Sequence, residues 1–244
     1  MLRSGVLAAW WPAFVAGRVS LDQVVDAVAG DDAPHRVCGL MFDGAPLTEL
    51  LATWRRGGGP VRAVLPVAGD VRGVPGPAAF RAVALEQGEG ALGPGFGIVP
   101  EIVDHYPSSA PTTVTWQVFA IEPAPADFVA VADAQYDLTT AIRDSATALF
   151  AADVAGGVDD IADALAGPRR AGEHLPLPPG FPPRAVALLA QAERLQAVLD
   201  LALSDPAGGA IDRMGMAART SALTPLATAV RRARLAGYNA EVRD

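Results

Sequence analysis

The stretch Thr112-Thr-Val-Thr-Trp-Gln-Val-Phe-Ala-Ile-Glu122 alternates its side chains with the two-residue period of a strand, setting Val114, Trp116, Val118 and Ala120 on one face. Pro123 and Pro125 follow at once, and from Asp127 onward every strong pattern is helical. The chain is therefore expected to divide here, with residues 1–122 holding the sheet and residues 123–244 forming a helical part packed against it.

Working back from that strand, Phe96 to Val103 reads as another, and Arg36 to Phe42 and Val61 to Val67 read as two buried apolar ones. Helical segments lie between them. Pro46 opens a helix whose Leu47, Leu50, Leu51 and Trp54 share a face, and Gly57, Gly58 and Gly59 end it. Ala78 to Gln87 is a further helix, with a hairpin strand as the alternative. Ser20 to Gln23 has the spacing of a capping box, ahead of Leu21, Val24, Val25 and Val28 at helical intervals. The run from Val6 to Ala16 behind Arg3 imitates a signal peptide, but it contains Trp10, Trp11 and Pro12 and falls far short of the ~20 residues that span a bilayer. It is read as a short core-packing helix. The expected class is α/β, with α+β as the alternative: a small mixed, partly parallel sheet with flanking helices, built by βαβ crossovers with an antiparallel strand added, then a helical C-terminal half.

In that half, Phe128, Val131, Leu138, Ile142 and Leu149 form one long stripe that Gly156 and Gly157 end, and Val158 to Ala166 is a short helix. The proline-rich stretch between Gly167 and Pro183 reads as an extended connection to a long apolar helix from Arg184 to Leu203. Thr224 and Pro225 have the look of a cap and first position for a last helix ending near Gly237.

Every one of the 19 basic residues is arginine, the mark of a GC-rich genome, and the net charge is −8. Nucleic-acid affinity rests on neutralising phosphates, so a polyanion partner is not expected, nor is a membrane. Cys38 is the only cysteine, which excludes an internal disulfide and a thiolate zinc site and suits a reducing cytoplasm. His35, His105 and His174 share no metal-ligand spacing. Neither a metal nor a cofactor is expected.

Ala63-Val-Leu-Pro-Val-Ala-Gly-Asp70, Gly76-Pro-Ala-Ala-Phe80, the Pro176 to Pro183 connection and Met216-Ala-Ala-Arg219 together resemble an uncharacterised family of proteins from high-GC Gram-positive bacteria. The resemblance covers most of the chain and implies no activity, ligand or site residue, since the family carries none.

Two candidate sites follow from the residues themselves. The loop from Gly69 through Arg72 and Gly73 to Gly76 runs from strand to helix, the order that suits an anion, although it lacks a P-loop pattern and Asp70 would repel a phosphate. If the first three strands run parallel, Asp43, Asp70, Asp104 and His105 each follow a strand's C-terminal end and meet on one edge, where they could hold a divalent cation or do general acid/base work. The structural alternative is that aspartate is simply favoured in turns. No G-x-S-x-G elbow or triad spacing occurs. The expected function is a non-catalytic binding or protein-interaction role, with a homo-oligomer and an unidentified protein or small-molecule partner. The alternative is a small-molecule enzyme, a hydrolase or metal-assisted transferase, using the strand-end acids.

Overall fold

The computed structural model describes residues 2–104, 110–122, 127–151, 175–204 and 213–240. They form two compact units: one holds the described residues up to Phe128 together with Pro176–Pro182, the other those of Val129–Leu175 and Pro183–Ala240. The expected Gly156–Gly157 stop, the helix from Val158 to Ala166, His105 and His174 lie outside the described residues.

The first unit runs α1 (Arg3–Val15), α2 (Leu21–Ala29), β1 (Arg36–Gly39), β2 (Phe42–Pro46), α3 (Leu47–Gly57), β3 (Arg62–Val64), α4 (Ala78–Gln87), β4 (Gly90–Gly93), β5 (Phe96–Val103) and β6 (Thr113–Ala120). The class is α/β, with a six-stranded mixed sheet in the order β2-β1-β6-β5-β4-β3. β1 and β6 are its parallel pair, and the other neighbours run antiparallel.

Several local signals act as their chemistry dictates. Ser20 accepts from the Gln23 backbone at 3.2 Å while the Gln23 side chain accepts from the Ser20 backbone at 2.8 Å, closing the capping box of α2. Leu47, Leu50, Leu51 and Trp54 are the buried face of α3. The apolar run after Arg3 is α1, with both flanks of the helix buried among its neighbours. Burying such a face gains ~25 cal/mol for each Å² of apolar surface withdrawn from water, which is what holds a short helix onto a sheet.

The expected crossovers between neighbouring strands do not form; α3 joins β2 to β3, which runs the same way but at the opposite edge. Arg36 to Phe42 is not one strand: Gly39 at φ 105° and Leu40 at φ 52° reverse the chain, and β1 pairs with β2 in a hairpin. The following helix then leads to β3 at the far edge of the sheet, not to a neighbour of β1. The strand expected from Val61 to Val67 pairs only over Arg62–Val64, because Val67 and Asp70 close a tight turn through Val67 N to Asp70 O (3.1 Å) and Asp70 N to Val67 O (2.9 Å). β4 was not expected, since Gly-Ala-Leu-Gly carries no β-branched residue or alternation.

α4 packs on one face through Phe80 and Ala84 against Val64, Val99 and Phe119. Gly97 is where Phe80 lies, since a Cβ there would sit 2.8 Å from its ring. The other face takes Trp116, Ile98 and the indole of Trp54, which meets Trp11 edge-on at 6.0 Å. The Pro176–Pro182 segment is anchored in this unit by Trp10 Nε1 donating to the Pro176 carbonyl at 2.7 Å.

The second unit is helical: α5 (Val131–Ala151), α6 (Pro183–Ser204) and α7 (Arg213–Tyr238), with no strand after Ala130 among the described residues. Leu138, Leu188, Ala192, Val230 and Ala233 form its core. Arg234 grips Glu193 at 2.9 and 3.1 Å, and Tyr238 donates to the same carboxylate at 3.0 Å. Thr224 and Pro225 do not start the last helix but lie inside α7. The Thr224 hydroxyl donates back to the Thr220 carbonyl at 2.8 Å, the pattern of a mid-helix threonine and not of a cap.

Candidate functional site

The site is built on the C-terminal end of β6. Ile121 N donates to Gly95 O at 3.1 Å, and Gly97 stands opposite Phe119, so the odd-numbered backbone groups of β6 bond to β5. The groups of Val118 and Ala120 therefore face the other way, toward β1. β1 pairs with β6 only as far as Cys38 opposite Gln117. Gly39 then turns off, pressed so close that a Cβ there would lie 2.7 Å from the Val118 carbonyl oxygen. Past that point no described strand pairs with β6 on this side.

The gap is an open groove of about 820 Å³, lined by Leu40, Pro75, Gly76, Pro77 and residues 118–122. A smaller one of about 400 Å³, which also touches Pro75, Ile121 and Glu122, opens toward Gly58, Gly59 and Arg62. One wall of the larger groove is the hairpin tip. Leu40 and Met41 are 57% and 68% exposed there, and Leu40 holds its left-handed φ at a cost of about 1–2 kcal/mol for a residue with a Cβ. The other wall is the loop into α4, brought in by Gly76, whose φ is 97° and where a Cβ would meet Ile121 Cγ2 at 2.7 Å.

The structure does not gather the strand-end acids. Asp43 is exposed on β2, within a strand and not after one, and β2 is one edge of the sheet. Asp70 follows β3, the opposite edge, with four strands between. Asp104 ends β5, which runs antiparallel to β6 and so antiparallel to β1, placing it at the other end of the sheet from the β1–β2 turn that Asp43 follows. It accepts from Thr112 Oγ1 at 2.8 Å. His105 lies outside the described residues. Among the described residues no three of His, Cys, Asp and Glu gather to hold a metal ion.

In the other candidate, Gly69, Gly73 and Gly76 all adopt positive φ, which is what the turns of that loop require. Arg72 is clamped by Asp70 through two 2.8 Å bonds, and that hydrogen bond and charge raise its pKa further. Its charge is thus matched within the loop.

A buried polar cluster ties α1 to the sheet. Arg3 grips Asp32 at 2.6 and 2.8 Å, Asp32 stands 3.1 Å from His35 Nε2, and Trp116 Nε1 donates to His35 Nδ1 at 3.1 Å. Because Nδ1 accepts, the proton of the neutral ring sits on Nε2 and is donated to Asp32. Burial pushes the His35 pKa down, against the pull of Asp32. Burial works to raise Asp32, but the hydrogen bonds and charges of Arg3 and His35 outweigh it and hold the carboxyl below its ordinary value. Glu89 is buried beside this cluster, accepting from Ser4 N at 2.8 Å and Ser4 Oγ at 2.6 Å at the start of α1; burial raises its pKa, with Ser4 opposing. These groups satisfy one another and line neither of the two grooves, so they hold the fold.

In the sequence Leu40 and Met41 read as part of the strand expected from Arg36 to Phe42. The signal that marks them is the glycine on either side, Gly39 and Gly44, around a short apolar run.

Residues 4–129 match the family described as Rv1486c-like protein, N-terminal domain, and residues 132–235 match its C-terminal domain. The chain is similar to uncharacterised protein MT1533 of Mycobacterium tuberculosis (strain CDC 1551 / Oshkosh), with 30% identity over 279 residues covering 96% of this chain and 95% of the relative. It is similar to the same extent to uncharacterised protein Rv1486c of Mycobacterium tuberculosis (strain ATCC 25618 / H37Rv). Uncharacterised protein ML1804 of Mycobacterium leprae (strain TN) is 28% identical over 207 residues, 75% of this chain and 68% of the relative. No solved structure matches.

Proposed function

This chain belongs to the Rv1486c-like family, and we propose that it is a non-catalytic interaction protein that docks a protein partner at the β1–β2 hairpin tip and the groove beside β6. The observation that carries this reading is the juxtaposition of two exposed apolar side chains, one of them on a strained backbone, with an open groove whose walls are mostly apolar. Strain persists where the surroundings or the function demand it, and apolar surface beside a cleft favours a covering partner. The enzyme alternative asks for acids that meet, and Asp43, Asp70 and Asp104 are spread over two edges and both ends of the sheet.

Self-association belongs to the same reading as a second kind of docking, and a cytoplasmic, nucleic-acid-free setting suits the −8 charge. The test is photo-crosslinking in cells from a benzoylphenylalanine placed at Met41, with Val103 at the other end of the sheet, 48% exposed, as the control position. A discrete adduct at Met41 and none at Val103 is expected. Its mass against the 25.1 kDa chain tells a different protein from a second copy. Equal, diffuse adducts at both positions would remove the docking reading.

A further inference from the structure

Resting on that docking reading, we infer that the groove takes an extended segment of another protein as an added strand alongside β6, with a cationic side chain at the Glu122 end. Three observations carry it. The first is the backbone. Past Gly39, which covers the Val118 carbonyl, the N–H and C=O of Ala120 point into the space that β1 vacates, and Ala120 is exposed. Strand edges of this kind pair with extended peptides by main-chain bonds, which supply affinity whatever the side chains.

The second is the shape and chemistry of the walls. Residues 118–122 line the groove consecutively, a length of about 17 Å at ~3.3 Å per residue, which matches four or five residues of extended chain. Pro75 and Pro77 line it as well, and since proline has no N–H, these two residues offer apolar contact and no donor. Leu40 and Ile121 complete an apolar lining into which alternate side chains of the segment fit.

The third is charge. Glu122 is the one charged residue among those lining the groove, it is exposed, and the whole chain carries −8. A segment bearing arginine or lysine at that end is complementary, and an acidic one is repelled. A second copy of this acidic chain is correspondingly disfavoured as the source.

The probe is a dye-labelled, end-capped hexapeptide alternating threonine and valine and ending in arginine, titrated against the full chain by fluorescence anisotropy. Two further forms carry N-methyl groups on alternate amides, one set each. A strand pairs through every second residue, so one N-methylated form is expected to bind like the parent and the other several-fold more weakly, as the lost bond to the Ala120 carbonyl implies. Glu122→Gln, or glutamate in place of the probe's arginine, is expected to weaken the parent by several-fold. Equal binding of both N-methylated forms would overturn the added strand while leaving docking by side-chain insertion in place. No saturable binding at millimolar probe, or a Met41 adduct at twice the chain mass, would overturn the inference without touching the docking reading, which fails on the Met41 and Val103 comparison alone.

Discussion

Trp54→Ala is expected to destabilise the sheet-containing unit by about 3–5 kcal/mol and Gly93→Ala by about 1–3 kcal/mol, while the two together cost distinctly less than their sum. Trp54 is fully buried, with its indole edge-on to Trp11 at a 6.0 Å centroid distance. Its ring also lies flat against β4. A Cβ added at Gly93 would stand 2.3 Å from Trp54 Cε2 and 2.6 Å from Cδ2 and Cζ2, closer than atoms pack. Neither side can give way cheaply, because Gly93 is paired to Phe96 in the sheet and Trp54 is fixed on α3. Removing the ring leaves a cavity that the alanine methyl then partly fills, and this shared volume couples the two sites. Urea unfolding of the two single variants and the double variant measures the coupling; strictly additive losses would contradict the contact.

Asp32→Ala is expected to cost about 2–4 kcal/mol near pH 7, since it strips the Arg3 guanidinium of its partner and leaves the buried His35 Nε2–H without an acceptor. The pH profile carries the diagnosis. The His35 pKa is lowered in the fold from its ordinary 6.5, so the unfolded chain takes up the proton first and stability falls as pH drops below about 6.5 toward the folded value. Asp32 is also lowered, from 3.8, and its contribution is present above that value and lost only in stronger acid. Glu89 is raised and acts with the opposite sign, favouring the fold as pH falls through the range above 4.5. Without Asp32 the imidazolium loses its counter-charge, so the decline below pH 6.5 steepens in Asp32→Ala and disappears in His35→Gln. Unfolding midpoints measured from pH 8 to 5 on the three proteins check this, and identical slopes in all three would refute the role given to His35.

The elements legible in the sequence are those whose burial pattern repeats along the chain. β6 was readable because Val114, Trp116 and Val118 are buried in alternation, and α3 because Leu47, Leu50, Leu51 and Trp54 fall on one face. The hairpin was not, because Val37, Cys38, Leu40, Met41 and Phe42 read as one apolar run and only the backbone angles of Gly39 and Leu40 break it. That single reversal changed the topology: with β2 beside β1, the helix after it delivers β3 to the far edge, and Asp43 and Asp70 part company. The capping chemistry at Ser20 needed no tertiary context, whereas Pro225 did, since proline reads alike at the start of a helix and inside one. The groove is legible in no residue type. It exists because β1 ends two residues short of where β6 does in their shared register, a property of pairing and not of composition.

Amide hydrogen exchange along β6 in the isolated chain tests the open edge most directly. Phe119 N–H faces β5, opposite Gly97, while Ala120 N–H faces the groove. The expected result is a strongly protected Phe119 next to an Ala120 that exchanges at close to the rate of an unstructured amide, and gains protection when the arginine-ended probe is added. An Ala120 amide already protected in the chain alone would mean that the edge is covered, and would contradict the added strand.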